Sequence, residues 1–486
     1  MLSHGKTRAP TFNSLLTLSL FLISLAFLMI LTGCGGGGGG IDGTPEPPPV
    51  SMVTTQFRIG DATADVLMSL EADLRAMHLI DNTGKSINIL PSTRRVELSH
   101  LAGTLEPLHI IDIPQGTYTQ ATFTGGAVHI SYLTHVGGVT RLQEFDTTTT
   151  EDFTVAISPP LVIGAQPAVV SIDFDLSSFV TVDPYSNNPP VLNDPKFTLT
   201  ITPVKTSGEQ EPENGEMEGM VGIVGNVNGT SFTMTLGQNK VPLTFATDGN
   251  TKFENATLAT MTNMIVKVNG VTLGNGTLMA REVEALENQN GVQAEGLILS
   301  WDNVSDLFLV PQDGTGAGLM NPPESPIGRA IRADISQATL AVNSDGMDMS
   351  GINLPFDLST LRGGQRVRVE GPTGLIRPDP NGTEAYMPTA SKVTLEKQTL
   401  TGTVVSYSAG TGGIATFVLN VPADSYLKQF PPLGPEAITV RVPGSAHLHD
   451  VTTIKAGDIL HVRGLLFYTG NIPPDGWNLV AQRIWK

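Results

Sequence analysis

Residues 14–31 are apolar almost without a break, and beyond residue 52 the pattern changes to short runs in which apolar and polar residues alternate between glycines, prolines and threonines. An unbroken apolar stretch near a chain start is the h-region of an export signal or a membrane span, whereas a period of two is the mark of a strand with one covered face. The chain past residue 52 therefore reads as β almost throughout, with few stretches long enough for an amphipathic helix. Residues 117–123, Gly125-Gly126 and residues 128–132 predict a hairpin, with Val128, Ile130 and Tyr132 on one side and His129 and Ser131 on the other. Residues 67–80 fit a strand or a helix.

The C-terminal half repeats itself. Asp357-Leu358-Ser359-Thr360-Leu361-Arg362-Gly363-Gly364 returns as Asp450-Val451-Thr452-Thr453-Ile454-Lys455-Ala456-Gly457. Each is followed by a strand ending in glycine, Val367-Arg368-Val369-Glu370-Gly371 and Leu460-His461-Val462-Arg463-Gly464. An earlier copy keeps Leu258, Thr260 and Met261, then Val266-Lys267-Val268-Asn269-Gly270. The copies open alike at Gly222-Ile223-Val224, Gly296-Leu297-Ile298 and Gly402-Thr403-Val404, and close on strands containing Ala280, Ala390 and Ala481. Seven residues before each terminal glycine stands Asn263, Gly364 or Gly457, types that tolerate positive φ, so each strand is expected to leave a tight turn. The valines and Leu460 are expected to face a core, and Lys267, Arg368 and His461 to face water.

Units of this size with five or six short strands suit small closed barrels, which leave no exposed edge, and OB-like barrels are expected. The Gly-Thr-Val opening, the valine strand ending in glycine and the closing alanine strand make residues 219–486 resemble a bacterial family known as domain of unknown function 5666, found as tandem β modules in exported lipoproteins. The middle copy departs from it by an insertion around residues 311–326, a candidate binding loop. Gly60-Asp61-Ala62, Ile113-Pro114-Gln115-Gly116-Thr117-Tyr118-Thr119-Gln120 and Ile172-Asp173-Phe174-Asp175-Leu176 make residues 53–204 similar to a second family, domain of unknown function 4382, which implies a β-sandwich with no assigned activity. Thr63 stands where that family usually has proline.

At the N-terminus Lys6 and Arg8 precede the apolar run, which ends in Leu31-Thr32-Gly33-Cys34. This resembles the lipobox of bacterial lipoprotein precursors and implies that Cys34 carries diacylglycerol as the mature N-terminus, a membrane anchor. Gly35 follows where an aspartate would imply inner-membrane retention, so the outer membrane of the cell envelope is expected. The chain then divides into a signal peptide (1–33), a Gly/Pro-rich tether (34–52), the sandwich (53–204), an acidic linker (205–218) and three barrel repeats (219–290, 291–397, 398–486). The acidic linker implies freedom between the two halves.

Cys34 is the one cysteine, so once it is lipidated no thiol is left for a disulfide, a redox pair, a thiolate metal site or a nucleophile. The formal charge of −18 becomes −20 without Lys6 and Arg8, which is expected to exclude nucleic acid as a partner. His447-Leu448-His449-Asp450 has the spacing of a zinc or copper site on one strand face, set against its place in a repeated turn; no metal or other cofactor is expected. Asp173 and Asp175 could pair as glycosidase carboxylates, but a solvated strand face is the simpler reading, and no nucleophile elbow, phosphate loop or dinucleotide fingerprint occurs. The expectation is a non-enzymatic envelope lipoprotein, a structural or protein-interaction module without buried ionisable clusters, its partner an envelope protein. The alternative is a glycan-binding lipoprotein in which Trp301, Trp477 and Trp485 stack on sugar rings.

Overall fold

The alternating runs pair into β-sheets throughout a computed structural model that describes residues 51–486 except 63–64, 149, 202–215, 237–241, 287–290, 302–304, 317–325, 374, 376–384, 411–413, 431–433 and 471–475. The signal segment, Cys34, the tether up to residue 50 and the acidic segment up to residue 215 lie outside the described residues, as does the side chain of Trp301. The expected all-β class is what the chain adopts.

The first half forms β1 (Met52–Ala62), β2 (Leu67–Asp81), β3 (Ser86–Asn88), β4 (Arg94–Glu97), β5 (Leu105–Pro114), β6 (Gly116–Val136), β7 (Val139–Thr147), β8 (Glu151–Ile163), β9 (Ala168–Asp175), the one-turn helix α1 (Leu176–Phe179), β10 (Val180–Thr181), β11 (Val191–Leu192) and β12 (Phe197–Ile201). One sheet runs β12-β9-β1-β5, the other β3-β2-β6-β7 with β4 on β2 and β8 on β6. They enclose one core, in which Phe57, Ile59, Val170 and Ile172 of the first sheet belong with Leu70, Leu79, Ala121 and Ile130 of the second.

Two local readings change. Residues 67–80 are strand β2, not a helix: both faces are covered, so apolar residues occupy both phases of the period and mimic a helical pattern. The hairpin expected at Gly125-Gly126 is instead an irregularity inside the long strand β6, where the pairing with β2 jumps from Ala72↔Val128 to Leu74↔Gly125. The chain reverses at Gly137-Gly138, both in the left-handed region, to pair β6 with β7.

The second half forms three modules. The first has β13 (Glu216–Asn228), β14 (Ser231–Leu236), β15 (Pro242–Ala246), β16 (Lys252–Glu254), β17 (Ile265–Thr272) and β18 (Leu278–Ala285). The second has β19 (Val292–Trp301), β20 (Asp306–Gly316), β21 (Ile331–Asp334), β22 (Thr339–Val342), β23 (Arg366–Gly371), β24 (Ala385–Met387) and β25 (Lys392–Leu395). The third has β26 (Lys397–Ser408), β27 (Ala415–Asn420), β28 (Ala437–Val442), β29 (His447–His449), β30 (Ile459–Tyr468) and β31 (Trp477–Trp485). The first and third close as five-stranded barrels: the orders β15-β14-β13-β17-β18 and β28-β27-β26-β30-β31 return on themselves through the parallel pairs β15–β18 and β28–β31. In the second the closing strand comes in two pieces, β24 on β21 and β25 on β23, and Pro388, which has no N–H for the ladder, lies between them. Residues 216–218, assigned above to the linker, begin β13.

The repeated positions are explained by backbone geometry. Asn263, Gly364 and Gly457 have φ of 63°, 88° and 90°, and each donates its N–H at 2.8 Å to a first-strand carbonyl, of Val224, Ile298 and Val404. The opening glycines lie where a second strand crosses closely: a Cβ on Gly222, Gly296 or Gly402 would come within 2.4, 2.0 and 2.4 Å of the carbonyl oxygens of Thr235, Val310 and Asn420. Val266, Val268, Val367, Val369, Leu460 and Val462 are buried in the barrel cores, as expected.

The opposite faces are not in water. Lys267 is 6 % exposed and Arg368 2 %, because the modules turn these faces toward one another. The two halves are likewise packed together: Met68 and Leu133 of the sandwich belong to the core of the third barrel, Gln312 donates to Met68 O at 2.8 Å, and Thr399 donates to Ala102 O at 2.7 Å. The freedom expected between the halves is not found in residues 51–486.

Candidate functional site

A buried cluster of ionisable side chains stands where the sandwich and the three barrels meet, correcting the expectation of modules without one. The outward positions of the valine strands supply Lys267 and Asn269 from β17, Arg368 and Glu370 from β23, and Arg463 from β30. Glu218, Glu295, Arg366, Glu396 and Lys397 join them, with Glu97, His100 and Glu106 from the sandwich. Arg366 Nε lies 2.9 Å from Glu295 Oε1. Arg368 reaches Glu370 at 3.4 Å, Glu396 at 3.5 Å and Glu284 of the first barrel at 3.7 Å. Glu218 of the first barrel stands 3.9 Å from Lys397 and 3.8 Å from Arg463 of the third, and accepts from Gln482 at 2.8 Å.

These charges hold one another ionised. Burial works against the charge on Arg368, yet Glu396, Glu284 and Glu370 raise its pKa further. Burial would likewise raise Glu218, but Lys397 and Arg463 bring it below the usual carboxylate range. Burial opposes the charge on His100, and Glu106 and Glu97, at 2.9 and 2.7 Å from its two ring nitrogens, outweigh it and raise the pKa to about 10. Both ring nitrogens are thus held by carboxylates, which favours the imidazolium. The gap left inside the cluster is about 40 Å³, lined among others by His100, Glu218, Lys267, Arg366 and Glu396. That is room for a few waters, not for a substrate. The cluster's ion pairs run across the boundaries between modules.

A second tie joins sandwich and second barrel. His129, 1 % exposed, holds Asp146 through Nδ1 at 2.8 Å and Gly328 O through Nε2 at 3.3 Å, and Arg329 bridges to Glu144 and Asp146. The side of β6 that carries His129 and Ser131 is therefore the seat of the insertion's described end. Of that insertion, residues 317–325 lie outside the described residues; Pro311 is in β20, and Gly328 N donates to its carbonyl at 2.8 Å.

The other candidates separate. His447 and His449 stand on β29, opposite Arg483 and Trp485 of β31, and β16 and β22 are the same short parallel strand in the other modules. His449 Nε2 is 3.5 Å from Asp450 Oδ2, and among the described residues no group of three or more His, Cys, Asp or Glu is placed to hold a metal ion. Asp175 caps α1, accepting from Ser178 N at 3.0 Å and Ser177 Oγ at 2.6 Å, while Asp173 is exposed; Ile172, Phe174 and Leu176 point inward. Trp477 is buried in the third barrel, and the half-buried Trp485 lies over Gly103 and stacks on His461 at 5.4 Å.

Sequence reasoning missed an aromatic cleft between the two sheets of the sandwich. It measures about 230 Å³ and is lined by Phe123 of β6, Phe153 of β8, Phe174 of β9, Phe179 of α1 and Phe197 of β12, with Gly125 and Ala72. Phe123 and Phe197 stack across the sheets at 4.0 Å and 7°, and Phe174 stands edge-on to Phe197 at 4.6 Å and to Phe179 at 5.4 Å.

Residues 221–284, most of the first barrel, match the model of a family described as Domain of unknown function (DUF5666). No curated protein matches the chain. Among solved structures, "drosophila Unr CSD456" is 10 % identical, with 55 % of this chain and 94 % of that one covered, at a TM-score of 0.12. A multidomain protein with nucleic acid binding domains from Streptococcus pneumoniae TIGR4 is 11 % identical, with 54 % and 72 % covered, at a TM-score of 0.11. The exclusion of nucleic acid drawn from net charge is corrected here, since a structure that resembles this chain is itself described by its nucleic acid binding domains. Net charge is a sum over the whole chain and does not describe any one face of it. At these TM-scores the likeness assigns no binding to this protein.

Proposed function

We propose that this protein is a non-enzymatic envelope lipoprotein, held to the membrane through Cys34 and acting as a stiff scaffold that offers the outer surface of four fused modules to another envelope protein. The observation that supports the reading is the ion cluster, which spends the most polar faces of the barrels on holding the modules to each other and clamps its histidine on both nitrogens. The lipid anchor, the outer-membrane address and the likeness of residues 53–204 to domain of unknown function 4382 belong to the same proposal and rest on the sequence motifs.

The test is cross-linking of the tagged full chain in intact host cells, followed by membrane fractionation and mass spectrometry, in parallel with Cys34→Ala. A lipid-modified Cys34 and one abundant cross-linked envelope protein, both lost in Cys34→Ala, are the expected result. An unmodified Cys34 in the soluble fraction would overturn the anchor. Absence of any cross-linked protein above the level of Cys34→Ala would overturn the scaffold.

A further inference from the structure

We propose that the aromatic cleft of the sandwich is a binding site for a small ring-containing molecule with a positively charged group. Five phenylalanines from five separate elements surround it, and stacked and edge-on contacts among Phe123, Phe174, Phe179 and Phe197 brace four of the rings without a guest, so the site is formed in advance. Its volume of about 230 Å³ exceeds the ~150 Å³ apolar cavity that admits a benzene ring.

The space is kept open on the Phe153 side by Gly125. Gly126 is forced: a Cβ there would lie 2.5 Å from Arg75 Nε and 2.8 Å from Asp73 Cβ. Gly125 is not. Its φ lies outside the left-handed region, and a Cβ would meet only Phe153 Cε2 at 3.6 Å and Glu151 O at 3.8 Å, ordinary contacts. A larger residue at this position would project toward the ring of Phe153 and fill the cleft. An unfilled cavity inside a core weakens a protein, so a cleft left open where a side chain at residue 125 would meet only ordinary contacts points to an occupant.

Charge selects the class of occupant. The ionisable residues that line the cleft are Asp73, Glu151 and Asp194, all acidic; Arg95, paired with Asp73 at 3.0 Å, and Arg75, bonded to Thr150, are not in the lining. Glu151 and Asp194 are exposed. Carboxylates at the rim and ring faces within both favour a cation and disfavour an anion.

The test uses two probes with the same ring and opposite charge, phenethylamine and phenylacetate, titrated into the full chain in lipid nanodiscs and followed by calorimetry and saturation-transfer NMR. Phenethylamine is expected to bind saturably at one site, roughly tenfold more tightly than phenylacetate. Gly125→Leu is expected to abolish the binding while melting no lower than the parent chain, and Asp194→Lys, at an exposed position, to narrow the preference. The proposal is overturned if phenethylamine shows no saturable binding, if a folded Gly125→Leu chain binds it equally well, or if phenylacetate binds as tightly. Should Gly125→Leu fail to fold, an unchanged preference in Asp194→Lys overturns the assignment.

Discussion

Where the modules meet, Lys267, Arg366, Arg368, Lys397 and Arg463 are packed against Glu218, Glu284, Glu295, Glu370 and Glu396 around a gap of about 40 Å³. Between the sheets of the sandwich, five phenyl rings surround about 230 Å³. The charged region is full and the apolar region is open, the reverse of what a search for catalytic groups would favour. Ionisable residues inside a protein mark a site of chemistry only where they also have room for a reactant; here the gap is too small, and the charges act as fasteners. Each region then predicts a different response to substitution: loss wherever the cluster is touched, and gain where the cleft is filled.

The largest expected loss is at Arg368. Arg368→Ala leaves Glu370, Glu396 and Glu284 facing one another in a site where the arginine is 2 % exposed, and breaking a buried pair from one side costs about 3–5 kcal/mol. Urea unfolding of the purified chain measures it. A loss below about 1 kcal/mol, the worth of an exposed ion pair, would mean that water reaches the cluster and that the fastener reading is wrong.

The second prediction concerns pH. The folded pKa of His100 is raised from 6.5 to about 10, so its contribution is complete below pH 6.5 and disappears as the pH rises through about 10. Burial raises Asp65 from 3.8 to about 7 against the pull of the Thr401 N–H, so its contribution is complete below pH 3.8 and is lost as the pH rises through about 7. The two act in the same direction in successive windows, Asp65 below about pH 7 and His100 above it, so the loss of on the order of a few kcal/mol between neutral pH and pH 10 belongs to His100. In His100→Gln the urea midpoint should be lower at neutral pH and lose most of its decline above pH 7. An alkaline slope that survives in His100→Gln would place the charge elsewhere.

How far the sequence could be read follows the same division. Turns and close crossings were legible, because Asn263, Gly364, Gly457, Gly222, Gly296 and Gly402 answer to local backbone geometry that a residue type records. The inward valines were legible from the period of two. That period states which residues share a face and nothing about what covers it, so Lys267 and Arg368 were placed in water although other modules lie over them. A signal for the cluster was present: two polar or charged positions between valines recur in each repeat, as Lys267 with Asn269, Arg368 with Glu370, and His461 with Arg463. Three copies of a charged face have a reason to meet. The cleft left no such trace, since Phe123, Phe153, Phe174, Phe179 and Phe197 are brought together only by the pairing of strands distant in sequence.

A covered and an open copy of one repeat turn offer a smaller test. Gly364 and Gly457 share a φ near 90°, but a Cβ on Gly364 would lie 2.4 Å from Leu427 Cδ1 and 3.1 Å from Phe430, whereas around Gly457 nothing stands within 4 Å. Gly457→Ala should cost about 1 kcal/mol for the left-handed conformation alone. Gly364→Ala adds overpacking at the face between the second and third modules and should cost roughly 2–4 kcal/mol. Equal losses in urea unfolding would show that module contacts near the cluster yield as easily as solvent does.

The smallest effect has the opposite sign. Gly125→Val places two methyl groups beside Phe153, lowers the entropy of the unfolded chain and removes part of the open volume, and it should raise stability by about 1 kcal/mol. The gain separates the two regions more cleanly than any loss, because destabilising substitutions are common and a stabilising one at a half-buried strand glycine requires empty space beside it. If Gly125→Val instead lowers the midpoint of unfolding, the strand irregularity at Ala72 and Leu74 needs glycine for its own geometry, and the open volume is a by-product of that bend.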